Sequence, residues 1–155
     1  MSKSVKRVTE AAQILGLNIS IQTMPDSTRS AADAANACNC EVGQIVKSLI
    51  FKGENSNALK LVLLGGHHDL DLKKAKEIFG EPLTRADPKR VRSETGFAIG
   101  GVAPIGHLET PETWIDANLL NHKQVWAAAG TPNSVFSVDP EHLMRAINAQ
   151  IFTNS

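Results

Sequence analysis

Apolar residues recur every three to four positions at the start of the chain. Val5, Val8, Ala12 and Leu15 share one helical face, and Gly16 suits the stop. The pattern then alternates over 19–23, which predicts a strand, and residues 24–29 read as a loop. Ser30-Ala31-Ala32-Asp33 has the form of a capping box and predicts a short alanine-rich helix. Residues 44–52 and 58–64 predict two strands joined by a turn at 53–57, with Gly65-Gly66 breaking the second. Asp71 predicts the cap of a helix that turns Leu72, Ala75 and Phe79 inward and ends at Gly80. A short strand at 83–86 leads to Asp87-Pro88, an N-cap followed by proline at the first helical position, in a helix ending near Gly96. Strands are predicted at 113–119, 125–129 and 134–138, and Asp139-Pro140 opens a last helix with Leu143 and Ile147 inward.

This mixed order, with short connections, predicts an α+β or mixed α/β fold built on a curved sheet rather than a doubly wound parallel sheet. The chain has 155 residues and no repeat, low-complexity stretch or linker, which predicts one domain over 1–155.

Two charged residues interrupt apolar patterns. Lys47 shares a strand face with Ile45, Leu49 and Phe51, so its ammonium must reach water, pair, or lose its proton. It either faces a cleft, where it meets a carbonyl or phosphate oxygen, or lies at a sheet edge with its head in water. Asp116 stands in Trp114-Ile115-Asp116-Ala117 and needs a partner. That partner is Lys47, the amino group of a ligand, or the backbone of a turn that Asp116 caps.

The segment from Thr95 to His107 holds four glycines, Pro104 and a terminal histidine between two ordered stretches. Glycines let a ligand approach the main chain, and proline stiffens one point of the path. Either the segment is a shaped loop whose N–H groups hold an oxygen-rich ligand, or it is a plain connection with tight turns. His107 closes it as a structural histidine or as a group that holds water or a hydroxyl. His67, His68, His122 and His142 are expected on the surface.

Lys and Arg number 16 and Asp and Glu number 16, so net charge gives no general nucleic-acid signal. Locally, 71–92 carries seven basic residues against four acidic ones, which reads as two solvated helix faces or as a nucleic-acid-facing patch. The N-terminus lacks the apolar core of a signal peptide and no run is long enough to span a membrane, so no membrane partner and a cytoplasmic location are expected. Cys38 and Cys40 are spaced poorly for a disulfide. With His67 and His68 they make four ligands by count but not by zinc spacing, so no metal or other cofactor is expected. Cys38 is expected as a small buried hydrophobe and Cys40 in a turn. Nucleophile elbow, P-loop and dinucleotide glycine spacings are missing.

Several segments, in order, resemble the YbaK/ProX family of aminoacyl-tRNA deacylases, which includes the editing insertion domain of bacterial prolyl-tRNA synthetases. They are Gly43-Gln44-Ile45-Val46-Lys47-Ser48-Leu49-Ile50-Phe51, Leu63-Leu64-Gly65-Gly66 with Asp71-Leu72-Lys73-Lys74, Thr95-Gly96-Phe97, Gly100 to Gly106, Ile115-Asp116-Ala117 and Ala129-Gly130. The resemblance implies a curved, barrel-like mixed sheet surrounded by helices. It also implies hydrolysis of the ester between a wrong, small amino acid and the terminal adenosine of a tRNA. By position Lys47 is the functional lysine, Gly100, Gly101, Pro104 and Gly106 form the substrate loop, and Asp116 is a pocket residue. Met24, Thr28, Ser30, Ile50 and His107 are further candidates for the pocket lining.

An aminoacyl ester is already activated, so placed water and donors for the developing oxyanion suffice, with no side-chain nucleophile. The implied partner is aminoacyl-tRNA, with an aminoacyl-tRNA synthetase as a further candidate. The competing reading is a non-catalytic module of the same fold that binds aminoacyl-tRNA or a synthetase.

Overall fold

The computed structural model describes residues 2–25, 28 and 30–154. Residues 26, 27 and 29 of the loop expected at 24–29 lie outside them.

The first helix, α1 (Lys3–Leu15), starts where the Ser2 hydroxyl accepts the Val5 N–H at 3.1 Å, and it buries Val5, Val8 and Ala12. Strand β1 (Gln22–Thr23) is two residues, shorter than the alternation over 19–23 predicts; Ile19 and Ile21 pack on the core from outside any strand. Helix α2 (Ala31–Cys38) is capped by the Ser30 hydroxyl, which accepts the Asp33 N–H at 3.0 Å.

Strands β2 (Val46–Gly53) and β3 (Leu59–Gly65) pair antiparallel, Lys47 opposite Leu64. Gln44 belongs to a 3₁₀ turn (Val42–Gln44), not to the strand, because its side chain and that of Glu41 bond back to each other's backbone. Asp71 caps a 3₁₀ turn (Leu72–Lys74) that runs into α3 (Ala75–Phe79); Ala75 and Phe79 are buried as expected, but Leu72 is exposed because the tighter turn rotates it off the inward face. Strand β4 (Leu83–Arg85) and helix α4 (Pro88–Thr95) follow, with Asp87 accepting the Lys89 N–H.

The strand expected over 113–119 is β5 (Glu112–Asp116) followed by a 3₁₀ turn (Ala117–Asn121). It stops because Asp116 Oδ1 accepts the Asn118 N–H at 3.0 Å and caps that turn. Strands β6 (Val125–Ala128) and β7 (Ser134–Val138) and helix α5 (Pro140–Ala146) match their patterns. Leu143 is fully buried and Ile147, just past the helix, packs partly buried against the core. A final strand, β8 (Gln150–Phe152), is not legible in the sequence, since three residues carry too little periodicity.

The strands form two sheets, β1-β7-β6 and β4-β2-β3-β5-β8, with β3·β5 and β5·β8 parallel. One parallel bridge, Ile45 to Trp126, joins them, so the sheets curve around a common core without closing a barrel. Strand β3 is buried along its whole length because both its faces are covered. Leu59, Leu61 and Leu63 face the main core with Phe136 and Leu143, while Val62 and Leu64 face a second core with Phe79 and Phe152.

Lys60 of β3 is buried too. Its ammonium meets Glu112 Oε2 at 2.5 Å and Glu81 Oε2 at 3.6 Å. Glu81 also accepts the Asn55 and Ser56 N–H groups at 2.9 Å and the Ser56 hydroxyl at 2.8 Å, tying down the β2–β3 turn. These bonds to Ser56, outweighing the cost of burial, hold the Glu81 carboxyl down at about 2. Cys38 is half-buried at the end of α2, where burial and then the neighbouring Cys40 push its thiol up to about 11. The packing role expected of Cys38 falls to Cys40, which sits against Ala34, Ala35 and Ile45 once Asn39 turns the chain back.

Candidate functional site

Strand β2 is shared unequally on one edge. Its start meets β6 through the Ile45–Trp126 bridge, and its end pairs with β4 from Phe51 onward. Between those points, residues 46–50 have no strand partner on that edge among the described residues. The divergence of β4 and β6 from β2 opens a cleft of about 760 Å³, within the roughly 300–1,000 Å³ common for small-molecule sites.

Because side chains alternate along β2, the cleft receives both faces of the strand. Lys47 and Leu49 come from one, Ser48 and Ile50 from the other. Lys47 Nζ donates to Asp69 Oδ1 at 3.0 Å; the lysine side chain is 23% exposed and the aspartate 98%. That hydrogen bond, then the ammonium charge, holds the Asp69 carboxyl below the ordinary aspartate range. Asp69 is the one carboxylate among the lining residues, and a carboxylate so stabilised is a poor base. The Ser48 hydroxyl is buried in the wall without a hydrogen-bond partner among the described residues.

The opposite side comes from the 96–107 loop. Phe97, Val102, Ala103 and Ile105 sink into the main core, and the Leu108 N–H to Thr95 C=O bond of 3.0 Å closes its base. The tip is left to Ala98, Ile99 and Gly100, of which Ile99 and Gly100 reach the cleft with Val102. Gly100 has φ +97°, a conformation that L side chains rarely adopt. The loop therefore has a core-anchored base and a small exposed tip.

Of the residues singled out in the sequence, Lys47, Gly100, Thr28, Ser30 and Ile50 line this cleft. Thr28 is pinned by its hydroxyl and its N–H to the Pro132 carbonyl at 2.6 and 2.7 Å. Gly101 is buried behind the tip and its N–H donates to the Ala98 carbonyl at 3.0 Å. Pro104, Gly106 and His107 line a separate apolar cavity of about 300 Å³ under α1. There His107 Nε2 bonds the Ala103 carbonyl at 2.6 Å, and burial lowers its pKa below the ordinary histidine value. Met24 instead bonds Asn133, and Asp116, fully buried, caps its turn; neither lines the cleft. Lys47 thus pairs with Asp69 rather than Asp116. His67 and His142 are exposed, His68 and His122 half-buried. Among the described residues no three His, Cys, Asp or Glu side chains converge.

Asp69, Arg85 and Trp126 are among the lining residues that the sequence reading did not single out for the site. Asp69 meets Lys47 only because the β2–β3 pairing returns the chain to the start of β2. Arg85 was one charge in a basic stretch, yet at the end of β4 it reaches the rim. Trp126, half-buried, enters through the sheet-joining bridge. A tryptophan in a predicted strand beside a cleft-facing lysine was the available signal, but no local pattern connects residues 79 positions apart.

The model of the family described as the aminoacyl-tRNA editing domain matches residues 25–146. Over 117 residues the chain is 32% identical to uncharacterized protein YwhH of Bacillus subtilis, spanning 76% of this chain and 74% of that one. Over 122 residues it is 26% identical to EbsC of Enterococcus faecalis, named as a candidate Cys-tRNA(Pro)/Cys-tRNA(Cys) deacylase, spanning 78% and 74%. A crystal structure of a candidate trans-editing enzyme for prolyl tRNA synthetase superposes with a TM-score of 0.91 at 44% identity, covering 99% of this chain and 97% of that one.

Proposed function

The chain belongs to the aminoacyl-tRNA editing domain family, and from that premise we propose that residues 1–155 act in trans as one cytoplasmic hydrolase clearing a small amino acid from mischarged tRNA. The observation that carries this reading is the meeting of Lys47 and Gly100 on one cleft at the uncovered edge of β2.

The aminoacyl ester enters with its carbonyl between β2 and the loop tip. Water attacks the carbonyl carbon, and the oxyanion that forms is met by the Gly100 N–H and the Lys47 ammonium. The bond to the ribose oxygen then breaks, that oxygen takes up a proton, and free amino acid leaves from a tRNA with its terminal hydroxyl restored. No lining side chain is a strong base, so the adjacent ribose hydroxyl is assigned the task of positioning the water. Asp69 keeps the ammonium aimed. Arg85 at the rim is suited to the terminal phosphates.

Apolar Ile45, Ile50, Val102 and Val135 are among the residues that line the cleft. A larger side chain is excluded there by overlap, a stronger discriminator than one methylene, worth only about 1–3 kcal/mol. The named activities of EbsC and of the trans-editing neighbour support an ester of this kind.

The deciding experiment is deacylation of tRNAs carrying labelled alanine, serine, threonine, cysteine and proline by wild type and Lys47→Ala. Selective release of one or two amino acids, reduced about 10²-fold in the variant, is the expected result. Full activity in a folded Lys47→Ala protein would overturn the assigned site. Absence of turnover across the panel, with tRNA still bound, would instead identify a binding module.

A further inference from the structure

Helix α1 lies outside the 25–146 family match, yet it touches the base of the cleft-forming loop. The exposed tip, Ala98 to Gly100, has no buried side chain of its own, so its place is set by Phe97 and Val102, which flank it in the core, and by what holds the two ends of the loop. Arg7 of α1 holds both. Its Nη2 donates to the Gly96 carbonyl at 2.6 Å and its Nε to the Gly106 carbonyl at 3.2 Å. The guanidinium lies 4.9 Å from the centre of the Phe97 ring, and the Phe97 and His107 rings meet nearly at right angles with their centres 5.1 Å apart. A side chain on Gly96 would collide with the same guanidinium, and one on Gly106 would meet the backbone of Arg7 and Val8 at 3.1 Å. Among the described residues no carboxylate pairs with Arg7, so the loop carbonyls are its partners.

We propose that Arg7 is a positioning residue for the editing cleft, its planar fork fixing the distance between the two ends of the 96–107 loop and so the place of Gly100 on the cleft wall. This rests on the function proposed above for that cleft. A planar guanidinium reaches two carbonyls at once with fixed spacing, whereas a lysine ammonium is a point charge on a flexible stem. Displacing a group that acts on the oxyanion by about 1 Å costs up to about 10²-fold in rate. The loss belongs in kcat more than in KM, because Arg7 does not line the cleft where the substrate binds.

The test compares wild type, Arg7→Ala, Arg7→Lys and Val5→Ala, the last a buried residue of the same helix, as a control for general loosening of α1. Two readouts are taken: kcat and KM for aminoacyl-tRNA, followed by amino-acid release, and amide hydrogen exchange across residues 97–107. We expect Arg7→Ala to lose about 10- to 100-fold in kcat with KM nearly unchanged. Exchange at the loop should quicken, and millimolar guanidinium should partly restore kcat. Arg7→Lys stays close to Arg7→Ala, and Val5→Ala shows neither the kcat loss nor the rescue. Unchanged loop exchange in Arg7→Ala overturns the proposal whether or not the wild type hydrolyses any ester. So does a kcat loss that Val5→Ala reproduces at equal loss of stability. A wild type that hydrolyses nothing, with loop exchange still quickened by Arg7→Ala, sinks the editing function and leaves the clamp standing.

Discussion

Replacing Gly130 by alanine tests whether α1 is packed against the cleft-forming half of the molecule as closely as the clamp requires. Gly130 follows β6 with φ +105°, and a Cβ there would meet the carbonyl carbon and Cβ of Ser4 at 2.9 Å and its oxygen at 3.0 Å. Two costs follow. A non-glycine residue at positive φ loses about 1–2 kcal/mol, and forcing a methyl against a packed backbone adds about 1–3 kcal/mol. Gly80 separates them, for it has φ +84° and nothing within 4 Å of its Cβ position. Gly80→Ala therefore carries the strain alone, offset in both variants by the smaller entropy that alanine gives the unfolded chain. The difference between the variants is the contact with Ser4, about 1–3 kcal/mol. With a urea slope near ~2 kcal/mol/M, Gly130→Ala should unfold about 0.5–1.5 M below Gly80→Ala at equal slope. Coincident midpoints would refute the close approach of α1 and weaken the basis for assigning Arg7 its role.

Acid sensitivity should trace to Glu81. Its folded pKa, about 2, lies below its unfolded value, so it contributes stability above the ordinary carboxylate range that is lost as pH falls toward 2. Glu81→Gln should be less stable than wild type at pH 7 and lose less between pH 5 and pH 2.5; equal losses in urea melts would count against the assignment. His107 acts in the same direction from a different cause: burial disfavours its charged ring and lowers its pKa, so the unfolded state takes up its proton first and stability falls as pH drops below the unfolded value near ~6.5. In NMR titrations its ring should still be neutral at pH values where a free imidazole is already charged, and a midpoint at or above the ordinary histidine value would contradict that burial. Asp69→Asn should lower deacylation by less than about tenfold, since an exposed ion-pair partner aims the lysine without supplying its charge; a loss equal to that of Lys47→Ala would give Asp69 a direct role.

What the sequence determined by itself was local. Helix starts followed from Ser30, Asp87-Pro88 and Asp139-Pro140, whose caps act within two or three residues. The strand carrying Lys47 followed from alternation, and the mixed fold class from the order of elements. The resemblance then joined the lysine strand and the glycine loop, although Lys47 and Gly100 stand 53 residues apart. Tertiary structure alone decided which residues face the same space. The loop divides, its tip going to the cleft and Pro104, Gly106 and His107 to the cavity under α1, because four core-facing side chains anchor it between. Asp116 is taken up by its own turn, while Asp69 reaches Lys47 through the β2–β3 register. The open edge of β2 exists because β4 and β6 leave that strand at different points. Capping and periodicity are set by neighbours in sequence, but a cleft is set by where strands part, and strand partners are chosen by packing across the whole chain.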